Sequence, residues 1–186
     1  MGTLCYGGSI SLDGYLADAD GDFGWYVPSE PVFASHVDRM AEVSTEVLGR
    51  NTYALMRYWE SEPDDGWNRL EKEFARRWRD IDKVVASSTL TRAGLGSDRD
   101  RLVADLGLDE LREIVGAATG LVEIFGPTVA AAAIRAGLVT DFRFYVVPVL
   151  MGGGLRALPD GVRLDLRLVE HRTFDDGVTY LRYVPR

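Results

Sequence analysis

Apolar positions along this chain switch between two periods, one of two residues and one near 3.6. Residues 4–12 alternate, with Leu4, Tyr6, Gly8, Ile10 and Leu12 on one side, which predicts a strand. Gly7-Gly8 inside it predicts a bulge or a close approach by another segment. The strand breaks at Asp13-Gly14, and Asp18 to Asp22 make a polar loop. Ser29-Glu30-Pro31 reads as a helix start, with Ser29 as cap and Pro31 in the first turn. Phe33, Val37, Met40 and Val43 continue it as an apolar stripe. His36 lies one position off that stripe and is expected at a surface or boundary. Thr45-Glu46-Val47-Leu48 reads as a short buried strand, and Tyr53 to Trp59 return to the helical period. Pro63-Asp64-Asp65-Gly66 marks a turn. Leu70, Phe74, Trp78 and Ile81 then define a charged amphipathic helix, with Arg76, Arg77 and Arg79 expected on its solvated face.

The second half repeats the alternation of short strands and helices. Strands are predicted at 83–86, 101–103, 121–125 and 141–147, and helices at 109–117 and 128–136, the latter closed by Gly137. After Pro148 and Gly152-Gly153-Gly154, residues 163–170 and 178–184 alternate on either side of Phe174-Asp175-Asp176-Gly177, a pattern of antiparallel pairing. Alternation through the middle predicts an α/β fold with a mostly parallel sheet, helices on both faces and antiparallel C-terminal strands. No internal repeat or linker divides the 186 residues, so a single domain is expected.

Charge narrows the partners. A net charge of −8 and a pI near 4.8 argue against a nucleic-acid-binding surface, so any phosphate-bearing ligand needs a local concentration of donors. The single cysteine, Cys5, excludes an internal disulfide and a cysteine-based zinc site. His36 and His171 lack metal-ligand spacing. The N-terminus lacks the pattern of a signal peptide, and no apolar run reaches the ~20 residues of a membrane helix. A reduced, cytoplasmic protein without membrane or nucleic-acid partners is the expectation.

The common catalytic motifs are missing: no G-x-S-x-G, no H-E-x-x-H, no phosphate-binding P-loop, and no G-x-G-x-x-G after the first strand. What remains is a set of strand-end turns. Leu48-Gly49-Arg50-Asn51-Thr52-Tyr53 joins a strand to a helix: Gly49 permits a sharp turn, Asn51 or Thr52 is a candidate cap, and Arg50 places a guanidinium beside free N–H groups. Ser87-Ser88-Thr89 follows a strand directly, either as a ligand contact or as a plain Ser/Thr turn. Gly126-Pro127-Thr128 is a second strand–glycine–helix junction. Phe23, Trp25 and Tyr26 form a lid over the core or wall a flat ligand.

Ser11-Leu12-Asp13-Gly14-Tyr15-Leu16-Ala17, Leu48 to Tyr53, Ser87-Ser88-Thr89-Leu90, Gly137 to Asp141 and Pro148 to Gly154, in this order, resemble the dihydrofolate reductase-like superfamily. More closely they resemble the branch containing the reductase domain of the riboflavin-biosynthesis deaminase-reductase. The resemblance covers nearly the whole chain and implies a three-layer dihydrofolate reductase-like fold and an NADPH-dependent reductase acting on a pteridine- or pyrimidine-like heterocycle. It assigns cofactor phosphates to Gly49, Arg50, Asn51 and Thr52, the 2′-phosphate to Arg50 with Ser87 and Ser88, and the pyrophosphate to Gly126, Pro127 and Thr128. Pro127 departs from the family's usual glycine or serine and donates no N–H. Glu30 is the candidate acid or the anchor of an amidine edge, against the alternative that it only favours its helix N-terminus. Asp13 is the other candidate acid, or a turn residue. Phe23, Trp25 and Trp59 wall the substrate pocket or fill core. The family also implies a homodimer. The alternative function is a member that binds a nucleotide or another ligand without turnover.

Overall fold

β1 (Leu4–Ser11) runs through the middle of an eight-stranded sheet, in a computed structural model that describes residues 2–61 and 66–186. Of the turn expected at Pro63-Asp64-Asp65-Gly66, the first three residues lie outside those described. β1 is followed by β2 (Tyr15–Ala17), α1 (Glu30–Met40), β3 (Val43–Gly49), α2 (Arg50–Met56), α3 (Arg69–Asp80), β4 (Asp82–Ala86) and β5 (Arg101–Val103). Then come α4 (Leu108–Ala117), β6 (Leu121–Phe125), α5 (Pro127–Arg135), β7 (Asp141–Val147), β8 (Leu155–Arg156), β9 (Leu166–Thr173) and β10 (Thr179–Pro185). The sheet order is β5-β4-β3-β6-β1-β7-β10-β9. β5 to β7 pair in parallel, while β10 runs antiparallel to both β7 and β9. β2 and β8 form a small antiparallel pair of their own, too short to leave a periodic signal.

The parallel strands are buried on both faces, which is why they read as short, nearly continuous apolar runs. Val47, Val84, Val122 and Ile124 pack under α4 and α5, while their neighbours Leu48, Val85 and Cys5 pack under α1, α2 and α3. A third cluster joins Val32 of α1 to Tyr145 and Val147 of β7 and Tyr180 of β10. The register of β1 against β7 runs unbroken from Cys5–Asp141 to Ser11–Val147. Gly7-Gly8 therefore marks a close approach: a Cβ on Gly7 would lie 1.8 Å from the Arg143 carbonyl oxygen.

Local signals set most boundaries. Asn68 caps α3 with a reciprocal box, its Oδ1 accepting from Leu70 and Glu71 N–H while Glu71 Oε2 accepts from Asn68 N–H. Ser29 holds the N-cap position of α1, although its hydroxyl makes no capping bond. Arg77 departs from the solvated face, because its Nη1 donates to the Val37 carbonyl of α1 at 2.6 Å. β9 lies three residues beyond the expected 163–170, because it pairs from Leu166, opposite Pro185, to Thr173. Among the described residues no helix is long and apolar enough to cross a membrane.

Candidate functional site

β6 lies between β1 and β3, so the helices that follow β3 and β6 leave neighbouring strands on opposite faces of the sheet. Their first turns meet at the carboxyl ends of the strands, where ligands bind in open α/β sheets. A Cβ on Gly126 would sit 2.6 Å from Thr52 Oγ1, and Gly126 takes φ +116°, a conformation that side-chain-bearing residues rarely adopt. Gly126 is thus required twice, by backbone and by space. Gly49 is not: its φ of −75° and ψ of 161° are ordinary extended backbone, and a Cβ there would meet Val129 at 3.9 Å. The N-cap of α2 is Gly49 itself. Asn51 and Thr52 lie inside the helix and do not cap it.

Arg50 is exposed at the first position of α2, and its Nη1 donates to Thr89 Oγ1 at 2.8 Å. Its Nε donates to Asn51 Oδ1 at 3.4 Å. The turn after β4 is therefore tied to the start of α2. Ser87 Oγ accepts from Thr89 N–H at 3.3 Å and from Leu90 N–H at 3.0 Å, so this hydroxyl shapes the turn, while Ser88 stands exposed beside it. Pro127 opens α5 and donates nothing; Thr128 and the residue after it carry the helix's unpaired N–H groups.

Next to this junction lies a cavity of about 230 Å³ on the α1–α3 face. Thr52, Gly126 and Pro127 line both the helix junction and the cavity. Its walls are largely aromatic: Phe23, Trp25 and Tyr26 from the loop before α1, with Phe33, Phe74 and Phe125. Trp25 is anchored through Nε1–H to the Leu16 carbonyl at 2.8 Å. The loop aromatics thus wall a cavity. Trp59 stands one layer back, 4.8 Å from the Phe74 ring and 6.1 Å from the Phe33 ring, so it supports the wall without forming it.

Neither acidic candidate lines this cavity. Glu30 is exposed at the start of α1 and lines a separate hollow with Asn68 and Arg69, because the helix turns its first residue outward. Asp13 is a turn residue: its carboxylate accepts from Met151 N–H at 3.0 Å, Gly152 N–H at 2.7 Å and Ser11 Oγ at 2.7 Å. Those bonds, the backbone N–H of Met151 first, hold its pKa down to about 2.

The floor is polar and comes from residues the periodicity hid. His36 is half-buried, the boundary position expected of it, and lines the cavity with its ring 4.0 Å from that of Tyr145. Burial, with Arg39 adding to it, lowers its pKa to about 3, so the ring is neutral at physiological pH. Arg39 pairs with Glu123, and Glu46 accepts from Trp78 Nε1–H at 2.7 Å. Burial and then the neighbouring Glu123 push the Glu46 carboxyl up to about 8. The signal is a lone charge inside each of two short, mostly buried strands, which is costly unless the charge is paired or neutralised.

Comparison with known proteins places the fold. The uncharacterized protein YyaP of Bacillus subtilis (strain 168) is 24% identical over 177 residues, covering 94% of this chain and 90% of YyaP. A Shewanella sp. PV-4 crystal structure named for riboflavin biosynthesis superposes with a TM-score of 0.77 at 21% identity, over 99% of both chains. Dihydrofolate reductase from Enterococcus faecalis, complexed with NADP(H), superposes with a TM-score of 0.66 at 14% identity, over 99% of this chain and 96% of that one. The fold is dihydrofolate reductase-like. The profile of the RibD C-terminal domain matches residues 4–180, and this chain belongs to that family.

Proposed function

We propose that this chain is an NADPH-dependent reductase that reduces a C=N or C=O group of a pteridine- or pyrimidine-like heterocycle. One observation carries the reading: Thr52, Gly126 and Pro127 are common walls of the helix junction and the aromatic cavity. A phosphorylated cofactor held at the junction would therefore reach a ring held in the cavity.

The residues fit such a cofactor. Arg50 and the 87–89 turn, joined through Thr89, offer a guanidinium and hydroxyls for the 2′-phosphate. The first turn of α5 and the Gly126 cradle offer N–H groups and close approach for the pyrophosphate, with Thr128 beside them. When bound, the nicotinamide supplies a hydride. The chain's own share is to hold a flat ring between Phe23, Trp25 and Phe125, to exclude water there, and to manage the proton that accompanies the hydride. A second copy of this chain is the proposed protein partner. The competing reading, ligand binding without turnover, draws its support from Pro127 and from the outward placement of Glu30.

NADPH fluorescence titration tests the reductase reading. NADPH is expected to bind more tightly than NADH, and Arg50→Ala to weaken NADPH by about tenfold to a hundredfold, the range of a charge-assisted contact. NADH should change little. Equal losses for both cofactors would remove the 2′-phosphate from Arg50, and no binding of either would remove the reductase.

A further inference from the structure

Glu46 of β3 and Glu123 of β6 are register partners, so their side chains leave the same face of the sheet next to each other. Both are 1% exposed. Arg39 of α1 is the cation at hand, and it pairs with Glu123. On the other side of Glu46, its register partner Lys83 of β4 sits 3.8 Å from Asp100. Cys5 of β1 and His36 of α1 complete the surroundings, and neither brings a positive charge. Two carboxyls thus share one guanidinium. The cluster balances with a proton on one carboxyl, or with a second cation.

The unused atoms point the same way. Among the described residues, Glu123 Oε2 and Arg39 Nε are buried without a hydrogen-bond partner. Glu46 lines the cavity, where its Oε2 takes the Trp78 N–H, and it is walled by the rings of Phe33, Phe74 and Phe125. Flat apolar walls over an acid whose neighbouring cations, Arg39 and Lys83, are paired with Glu123 and Asp100 select a flat base.

We propose that the cavity takes a flat nitrogen base of the amidine type and that Glu46 delivers a proton to its ring nitrogen. The O–H bond of Glu46 breaks and an N–H bond forms. The electron pair stays on the carboxylate, and the protonated base becomes the second cation opposite the two glutamates. In turnover the inference rests on the reductase reading. Hydride reaches the carbon of a C=N bond and NADPH becomes NADP+, while the Glu46 proton reaches the nitrogen. Solvent then returns a proton to Glu46. Binding and proton transfer to a base need no cofactor.

The probe is benzimidazole, a flat cyclic amidine whose ring nitrogen is mostly unprotonated at pH 7. Infrared spectra of the wild type at pH 7 should show the carbonyl stretch of a protonated carboxylic acid. That band should be absent in Glu46→Gln, whose amide still accepts from Trp78, and should disappear when the probe binds. Probe absorbance should shift to its protonated form in the wild type and in Glu46→Asp, but not in Glu46→Gln, which should bind at least ten times more weakly. The proposal falls if the band survives in Glu46→Gln, if both proteins bind the probe alike, or if the wild type does not bind it. Should Glu46→Gln fail to fold by circular dichroism, loss of the wild-type band on probe addition decides alone. Wild-type NADPH titration is scored separately, so its failure would sink the reductase and leave the proton transfer standing.

Discussion

His36 and Glu46 carry opposite penalties on folding, and their titrations shape the stability of the protein. His36 has a pKa of about 3 in the fold against 6.5 when unfolded, so between these values the unfolded chain binds more protons and stability rises with pH. Glu46 has about 8 against 4.5, so across that window the folded chain binds more protons and stability falls as pH rises. Glu123 raises the Glu46 value further, whereas the Trp78 hydrogen bond, Arg39 and Lys83 oppose the rise. From these two groups, stability is flat between about pH 4.5 and 6.5 and declines on either side. His36→Asn should remove part of the acid limb, and Glu46→Gln part of the alkaline one. Each tenfold difference in proton affinity between folded and unfolded chain that is lost this way is worth about 1.4 kcal/mol. Urea titrations at a series of pH values read this directly, and parallel alkaline limbs in Glu46→Gln and wild type would refute it. Neither group was legible as functional. Glu46 reads as one polar residue in a short strand, and His36 is hidden because α1 buries two faces, Val37 and Met40 toward the sheet and Val32 toward β7 and β10.

The two helix starts show what a motif conveys and what it hides. The order strand, glycine, helix was readable at both 49–52 and 126–128, and both junctions lie at the same edge of the sheet. Which glycine matters was not readable, since the constraint on Gly126 comes from Thr52, across a strand pairing that only the tertiary fold creates. The Arg50–Thr89 bond is hidden for the same reason, since it spans 39 positions. Gly126→Ala should therefore destabilise the protein by about 1–3 kcal/mol, the range for a side chain forced into a glycine-only conformation. It should also weaken NADPH more than the fold, by pushing Thr52 away from the junction. Gly49→Ala, on ordinary backbone with 3.9 Å of clearance, should leave stability within about 0.5 kcal/mol of wild type. Thermal melts of both variants make the comparison, and equal losses would show that the helix junction is not the constraint.

Across the whole molecule the two ends of the sheet are treated differently. β5, at one end, has three residues, and Arg101 there is engaged by Glu110. Such a short, charged edge offers little to pair with. β9, at the other end, has eight residues, seven of them exposed, including Leu168 at 44% and Val169 at 39%. Val149 and Leu150, in the loop after β7, are also exposed, Leu150 at 74%. A long exposed edge with apolar residues invites pairing, and a closed symmetric contact is the arrangement that stops it from propagating. The proposed homodimer would use this end, leaving the cavity at the carboxyl ends of β1, β3 and β6 free. Sedimentation should then give twice the 20.6 kDa chain mass at micromolar concentration. Leu168→Glu should shift the protein to monomer, with circular dichroism and NADPH affinity unchanged. A wild type that sediments as a monomer, or a Leu168→Glu variant that remains dimeric, would show that β9 is an edge left open for another reason.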